Sequence, residues 1–513
     1  MKFDDILSEI GDFGTYQKKK FVLLTVAWML TPAVTAFSVF ILGIPDHRCR
    51  IPGFANDTYN VQGTLHHNMI QMYIPLSNED DKKYDQCHVY QIDQSNTVFD
   101  ENNSHSINAS LVKCSSWVYS NDVFDYTFVV KENLVCDNKY KVSVSKTVLF
   151  AGTLVGSFTF GLLSDLIGRR KTLLLAVLTL FGSCMTLAWS VNYTMFIIVR
   201  FFTGVGVVGM YITTFVIGME WTGPSKRTFV GIFIATFTPG GVLLYILESY
   251  FIRTWNWIII ATAIPTGLYL IIWWFIPESP RWLCSKGRMA EAKALLQHAA
   301  MVNKTTFPDK MLDELTPDNR ESGRVWLLFS DKTLACRTVI IFFNWMVVSM
   351  VFYGLSLNTG ILYGDYYINF MLSVLVEYPA NYAGKDLQPL TTTLALLGKL
   401  FSTAGFATIY IISAEVFPTV IRNAGMGSSS VWARVGGMIS PYIADTADLV
   451  GGTTGKAVPL VIFGGACVLA ALLTLILPET LNRQLPETIE DGKHFSRNID
   501  KKKQAESKEQ TRL

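Results

Sequence analysis

Charged residues are scarce in this sequence. Asp, Glu, Lys and Arg make up only 16% of its 513 residues, whereas about 25% is usual for a soluble domain. Hydrophobic residues make up 50%, and the mean hydropathy is +0.31. The formal net charge of +2 shows no basic excess of the kind that binds nucleic acid. The composition therefore predicts an all-α membrane protein with several spans of about 20 residues.

Motifs that carry common catalytic or metal chemistry are also missing. The sequence has no G-x-x-x-x-G-K-S/T phosphate loop, no H-E-x-x-H and no C-x-x-C pair. Most of its 7 His residues fall in one polar segment, residues 45–141. We therefore expect no enzyme activity, no cofactor, no metal site and no nucleic-acid partner.

The first 44 residues do not resemble a cleavable signal peptide. Three lysines at 18–20 precede an uncharged run, 21–44, which is too long for the apolar core of a signal peptide and has no small-residue cleavage site. We expect a cytosolic N-terminus followed by a first span. Apolar residues at helical spacing in residues 1–20 predict a short amphipathic helix on the inner leaflet; they are Ile6, Leu7, Ile10 and Phe13.

The polar segment 45–141 is predicted to be an extracellular cap. Its cysteines are even in number, which indicates disulfides, and leave the pairing open; they are Cys49, Cys87, Cys114 and Cys136. Its three N-x-S/T acceptor sites predict glycosylation at Asn56, Asn102 and Asn108. A fourth such site, at Asn303, lies in a basic segment that we expect to be cytosolic.

A charged loop joins two apolar runs, 142–163 and 172–189. It reads G-L-L-S-D-L-I-G-R-R-K and extends from Gly161 to Lys171. Its basic residues predict a cytosolic position, and Gly168 permits a sharp turn.

The rest of the sequence repeats itself at the level of charged helix ends. Glu220 and Glu278 are 58 residues apart (278 − 220 = 58), and Glu415 and Glu479 are 64 apart (479 − 415 = 64). Similar spacing of matching loops is typical of a duplicated transporter with its site between the halves. We predict transmembrane halves at 21–276 and 337–478, a cytosolic linker at 277–336 and a cytosolic tail at 479–513.

Several motifs together resemble one family. They are the P-D-H-R-C sequence at 45–49 before a large loop, the G-x-x-x-D-x-x-G-R-R-K loop, P-E-S-P-R-W-L at 277–283 and E-V-F-P-T-V-I-R-N at 415–423. From the N-terminus to about Asp491, the chain is similar to the organic cation, organic anion and carnitine transporters of the major facilitator superfamily. The resemblance implies a major facilitator fold and a plasma-membrane carrier of small organic ions that works by alternating access. Its partners would be the lipid bilayer, a small organic ion and a co-transported ion, and the resemblance leaves the identity of the co-transported ion open.

The charges at cytosolic helix ends have two interpretations. Topology alone could explain them, since exposed ion pairs contribute little stability. Their recurrence in both halves, and the role of the signature loop in the resembled superfamily, favour latches that break when the inner gate opens. The candidate gating residues are Gly161, Asp165, Gly168, Arg169, Arg170, Glu220, Arg227, Glu278, Arg281, Glu415 and Arg422.

Ionisable residues inside predicted spans are candidates for substrate binding. Those in the second half are Glu377, Lys399 and Arg434. Lys399 could instead snorkel to an interface, or the three could pair with one another. Anion and carnitine carriers of the resembled family have Arg at the position of Arg434, whereas cation carriers have an acid there. We also predict cation–π or stacking roles for Phe352, Tyr353 and Tyr410.

The second half is too short for six spans. The seventh span ends near Gly364, and only 51 residues (415 − 364 = 51) separate it from Glu415. Compared with the resembled family, the end of the eighth span, a second signature loop and the ninth span are missing near 383–385. We therefore expect about 10–11 spans, with ten favoured and residues 367–388 re-entrant. A transport-deficient isoform that acts at most as a binding or assembly partner is the alternative.

The last residues, T-R-L, have the form that PDZ domains bind. Thr511 and Leu513 would enter the groove of such a partner.

Overall fold

The computed structural model describes most of the chain. The described residues are 3–77, 84–91, 110–307, 325–357, 366–375, 392–418, 421–450, 452–478, 480, 486 and 489–490. Several predicted features lie outside them: Glu377, Asn102, Asn108, Thr511, Leu513 and the join near 383–385.

Helices dominate the described residues. Those before the linker are α1 (Phe3–Glu9), α2 (Thr15–Phe40), α3 (Thr64–Tyr73), α4 (Phe128–Glu132), α5 (Tyr140–Ile167), α6 (Arg169–Ala188), α7 (Tyr193–Glu220), α8 (Arg227–Ala235), α9 (Phe237–Phe251) and α10 (Trp255–Trp273). Those of the linker and the second half are α11 (Pro280–Ser285), α12 (Met289–Asn303), α13 (Lys332–Leu357), α14 (Tyr366–Leu375), α15 (Thr392–Val416), α16 (Arg422–Val450) and α17 (Gly452–Thr474).

Seven of the described helices are long and apolar enough to cross a membrane. They are Thr15–Phe40, Cys136–Ile167, Arg169–Ala188, Tyr193–Glu220, Phe229–Phe251, Trp255–Trp273 and Lys332–Leu357. By contrast, α14 has 10 residues and rises only about 15 Å, half the thickness of the hydrocarbon layer.

Glycines allow close approach of helices in both halves. A side chain at Gly204 of α7 would lie 2.2 Å from the carbonyl oxygen of Leu149 in α5. At Gly436 of α16 it would lie 2.1 Å from the carbonyl oxygen of Met346 in α13. Small residues at such crossings let membrane helices gain van der Waals contact.

The direction of the second-half helices follows from their contacts. Trp345 in α13 contacts Tyr410 of α15 with ring centroids 4.3 Å apart, and Phe352 contacts Phe406 at 5.4 Å. Residue numbers rise along α13 as they fall along α15, so these two helices are antiparallel. The end of α13 and the beginning of α15 therefore lie toward the same side of the bundle.

The N-terminal helix packs on protein. Ile6, Leu7 and Ile10 are each 0% exposed and belong to one core with Leu296 and Ala299 of α12. Our prediction that this apolar face lies on the inner leaflet was therefore wrong, because the helix of the linker already covers it.

Asn303 ties the linker to the N-terminus. Its Oδ1 accepts from the backbone N–H of Tyr16 at 2.8 Å, and its Nδ2 donates to the carbonyl oxygen of Ile10 and to Gln17 Oε1, both at 2.9 Å.

The segment between α2 and α5 forms a separate small core. It contains two antiparallel sheets that the sequence analysis did not predict: β1 (His47–Cys49) pairs with β4 (Trp117–Tyr119), and β2 (His88–Gln91) with β3 (Ser110–Lys113). Disulfides join Cys49 to Cys114 and Cys87 to Cys136. Asn56, one of the predicted glycosylation residues, is exposed on this cap.

Candidate functional site: a polar and aromatic site between two helical halves

One ion-pair network joins the beginning of α6 to the end of α7. Arg169 Nε and Nη2 donate to the two carboxylate oxygens of Glu220 at 3.0 and 2.9 Å. The side chains are only 11% and 13% exposed. Asp165, whose side chain is 74% exposed, adds an ion pair to Arg169 at 2.9 Å. A paired guanidinium–carboxylate contact of this geometry is among the stronger charge-assisted interactions.

Glu278 caps the beginning of α6. Gly168 precedes this helix and has no side chain with which to satisfy the first N–H groups. Glu278 Oε1 accepts from the backbone N–H of Arg169 at 2.9 Å, and Oε2 accepts from that of Arg170 at 3.2 Å. Burial raises the pKa of Glu278, and these hydrogen bonds and the nearby Arg169 only partly offset that rise.

The turn at Gly168 is shaped for this capping. Its φ is +99°, a conformation that side chains disfavour. A Cβ there would lie 2.5 Å from Glu278 Oε2. Trp282 closes the turn by donating from Nε1 to the carbonyl oxygen of Asp165 at 3.0 Å. A side chain at Gly161, in contrast, would meet open space.

The remaining predicted gating residues of this side serve other contacts. The Arg170 guanidinium lies 4.7 Å from the ring centroid of Trp273, and that of Arg281 lies 5.5 Å from Phe3. Arg227 Nε donates to the carbonyl oxygen of Thr222 at 3.1 Å.

In the second half, the matching pair is not joined to such a network. Arg422 Nε donates to the carbonyl oxygen of Phe417 at 3.3 Å, and its buried Nη2 has no hydrogen-bond partner among the described residues. Glu415 likewise forms no ion pair with any of the described residues.

Aromatic side chains from both halves meet between the bundles. Phe150 of α5 packs on Tyr353 of α13 with ring centroids 4.6 Å apart. Thr147 of α5 donates to the carbonyl oxygen of Met438 in α16 at 3.1 Å. The two halves are therefore in direct contact at this level.

Arg434 belongs to the same region. It is partly buried and lies within electrostatic range of Tyr410 in the second half and Tyr211 in the first. The ring of Tyr211 stacks against Trp28 of α2 with centroids 4.0 Å apart. The arrangement offers a cation and aromatic faces, which suits an organic ligand that carries an anionic group.

Lys399 lies deep in α15 and is 2% exposed. Its Nζ donates to Ser373 Oγ of α14 at 3.3 Å and lies 5.6 Å from the ring centroid of Phe352. Snorkelling, the alternative considered for this lysine, does not fit these contacts because the ammonium group points into the protein.

Sequence reasoning missed Phe150, Tyr211 and Trp28. All are first-half aromatics within apolar runs, where periodicity does not separate site residues from lipid-facing ones. The internal duplication was the available signal, since it predicts a site lined from both halves.

Helix α14 of the second half contacts the first half. Tyr366 Oη donates to the carbonyl oxygen of Val39 at 2.7 Å, and Tyr367 Oη donates to that of Ser249 at 3.1 Å. The ring of Tyr367 stacks on Phe40 with centroids 5.2 Å apart. These contacts join the two halves at the ends of α2 and α9 that lie near the cap.

A buried charge cluster organises the cap itself. Arg48 Nη1 donates to Asp57 Oδ2 at 3.0 Å, and His66 Nε2 donates to Oδ1 at 2.9 Å, since His66 Nδ1 accepts from the backbone N–H of Gln62. Burial acts to raise the pKa of Asp57, but the hydrogen bonds from Arg48, Ile51 and His66 outweigh it and lower that pKa.

Comparison with known proteins places this arrangement in a family. The model of the sugar (and other) transporter family matches residues 112–375. The organic cation transporter protein of Drosophila melanogaster is 33% identical over 97% of this chain and 95% of its own length. The human organic cation/carnitine transporter 2 is 30% identical over 95% of this chain and 93% of its own length.

Solved structures agree on the fold. The inward-open xylose transporter of E. coli superposes with a TM-score of 0.56 and 16% identity, covering 94% of this chain and 100% of that one. A proton:xylose symporter bound to a bromo-deoxyglucose gives a TM-score of 0.56 and 17% identity, with the same coverage. The chain is a multi-pass membrane protein with the major facilitator fold, and it belongs to the organic cation, organic anion and carnitine transporter family.

Proposed function

We propose that this protein carries a small organic ion with an anionic group, such as a zwitterion or an organic anion, across the plasma membrane by alternating access. The observation that carries the proposal is the position of Arg434, within electrostatic range of Tyr410 in the second half and Tyr211 in the first. Burying a cationic side chain inside a membrane span costs free energy unless an anion compensates its charge. A ligand carboxylate would supply that anion. The carnitine named for the human relative is one ligand of this class.

The distribution of contacts supports alternating access. Hydrogen bonds and ring contacts between the halves involve the outer parts of the helices, such as Thr147 with Met438 and Tyr366 with Val39. The cytosolic ion pair of Arg169 with Glu220 lies within one half. In the proposed cycle these contacts across the halves form the outer gate and break when the ligand enters from outside.

The helix directions support ten crossings with both termini cytosolic. Because α13 and α15 are antiparallel, the end of α13 and the beginning of α15 lie toward the same side of the bundle, as ten crossings would require. The short helix α14 contacts α2 and α9, which fits a re-entrant segment that packs on protein. The alignments with relatives extend over 542 and 548 positions, more than the 513 residues here, which supports a missing internal segment.

Uptake into expressing cells tests the proposal. Labelled carnitine, urate and an organic cation are offered separately, with mock cells as reference and surface biotinylation to measure the amount of carrier. We expect uptake of at least one ligand that bears a carboxylate or another anionic group, and its loss in Arg434→Asp at equal surface amount. Lys146→Gln, outside the site, serves as a charge control on α5. Equal anion uptake by wild type and Arg434→Asp would contradict the assignment.

A further inference from the structure

One side chain of the cap lies between the two halves. Phe124, which is only 5% exposed, packs against a ring from each half. Its ring centroid lies 5.2 Å from that of Tyr366 in α14 and 6.5 Å from that of Phe40 in α2. Tyr366 and Phe40 are themselves 5.6 Å apart. The cap, the first half and the second half therefore each contribute one ring to a single aromatic cluster.

A backbone atom of the cap takes part in the same contact. Tyr367 Oη of α14 lies within hydrogen-bond distance of the carbonyl oxygen of Val123, at 3.2 Å, as well as that of Ser249. Val123 directly precedes Phe124 in the sequence. The cap thus contacts two consecutive residues of α14 through two consecutive residues of its own.

This segment of the cap is fixed to the first half by backbone hydrogen bonds. The N–H group of Tyr126 donates to the carbonyl oxygen of Arg253 at 3.4 Å, and that of Trp255 donates to the carbonyl oxygen of Tyr126 at 2.9 Å. The N–H group of Phe128 donates to the carbonyl oxygen of Ile41, next to the end of α2, at 3.1 Å. We expect the segment to move with the first half, because these bonds hold it at two places.

Helix α14, in contrast, is bonded to the second half. Lys399 Nζ of α15 donates to Ser373 Oγ of α14 at 3.3 Å. In alternating access the two halves separate on the side from which the ligand enters, so contacts that join them there are made in one state and lost in the other. The contacts of Phe124 and Val123 with α14 are of this kind.

We infer that Phe124 is a gating residue, held by the cap against α14, and that its contacts stabilise the state in which the halves are joined near the cap. This inference rests on the alternating access proposed above. The alternative is that Phe124 only packs the cap onto the first half. A gating residue changes the distance between the halves when its ring is removed, whereas a packing residue changes only the stability of the cap.

Distances between the halves test this inference. Spin labels are attached to cysteines introduced at Val191 and Leu460, which are 70% and 53% exposed. Val191 lies beside the cap, since Lys131 donates to the carbonyl oxygen of the preceding residue. Leu460 is near Phe463, whose ring lies against Gly354 in the last turn of α13.

The labelled full-length protein is reconstituted in lipid nanodiscs, and the distances are measured by pulsed electron paramagnetic resonance. The free cysteines that a label could reach are first replaced by serine: Cys284, Cys336 and Cys467.

Variants of the cap decide between the two explanations. Phe124→Ala should raise the ratio of long to short distances about twofold to tenfold, as expected for the loss of one aromatic contact. Phe124→Leu keeps most of the apolar volume, so the cap should fold, and its shift should have the same sign. Phe54→Ala is the matched control, because Phe54 stacks on His66 in the core of the cap, with centroids 5.1 Å apart, and makes no ring contact with the described residues of α14.

The inference is overturned if Phe124→Ala gives the distances of the wild type, or if Phe54→Ala shifts them as much. Uptake of the ligand found in the assay above gives a second readout. Phe124→Ala should lower the apparent KM for external ligand, because a larger fraction of the carrier is open to it, and an unchanged KM would remove Phe124 from the gate. Absence of uptake by the wild type would contradict the proposed function, but the distance measurement would still decide the role of Phe124.

Discussion

Glu220 and Glu415 lie at the ends of matching helices, one in each half, and an arginine follows each after the same interval (227 − 220 = 7 and 422 − 415 = 7). In both loops the arginine Nε donates to the carbonyl oxygen five residues earlier, at 3.1 Å for Arg227 and 3.3 Å for Arg422. The two arginines therefore share the same local hydrogen bond.

They differ in what the acid binds. Glu220 receives the guanidinium of Arg169 from the signature loop, whereas the sequence has no second G-x-x-x-D-x-x-G-R-R to supply a cation to Glu415. The buried Nη2 of Arg422 is likewise without a partner in the described part of the second half. Residues close in sequence therefore form the hydrogen bond of the arginine at each helix end. The ion pair of the acid depends on a loop from elsewhere in the same half.

The largest effect is expected from Arg169→Ala. This change leaves the carboxylate of Glu220 buried without its cation, and breaking a buried pair in this way costs about 3–5 kcal/mol of unfolding free energy. The thermal unfolding midpoint in detergent should fall accordingly. Arg288→Ala is the control, because the pair of Arg288 with Glu291 is 46% and 57% exposed and should contribute less than about 1 kcal/mol. Equal losses for the two arginine variants would show that burial does not distinguish the network.

A smaller effect is expected from Gly168→Ala. At φ +99° and ψ +156°, a region populated almost only by glycine, alanine costs about 1–3 kcal/mol, and the clash with Glu278 should add about 1–3 kcal/mol. Gly287→Ala is the reference for a positive φ without a clash, since Gly287 has φ +73° and nothing within 4 Å of a Cβ. Gly168→Ala should lower the unfolding midpoint more than Gly287→Ala does. A Gly168→Ala midpoint no lower than that of Gly287→Ala would mean that Glu278 moves aside freely.

Much of this network could be predicted from the sequence. Charge and spacing identified Asp165, Arg169 and Glu220 as helix-end residues, because few charges occur in the chain, the signature loop carries the first two, and Glu220 has a counterpart in Glu415. The partner of each charge could not be predicted. Arg169 pairs with Glu220, and Glu278 accepts from backbone N–H groups, because of the way in which α6, α7 and the linker pack.

The candidate substrate site was predicted from one side only. Arg434 and Lys399 stand out because a charge inside an apolar run is rare. The first-half residues Phe150 and Tyr211 do not stand out, since aromatic residues are common throughout these spans. Their role depends on the contact between the halves, and no local pattern encodes that contact.

The smallest effect is expected from Glu415→Gln. With no ion pair to lose, this variant should change the unfolding free energy by no more than about 0.5 kcal/mol. The same substitution at Glu220 removes the charge from its contact with Arg169 and should cost about 1.5–3 kcal/mol. Both variants replace a carboxylate by an amide of the same size at the same position in the repeat, so the difference isolates the effect of the signature loop. Equal losses would mean that Glu415 has a cationic partner in a part of the chain outside the described residues, and the contrast between the halves would then disappear.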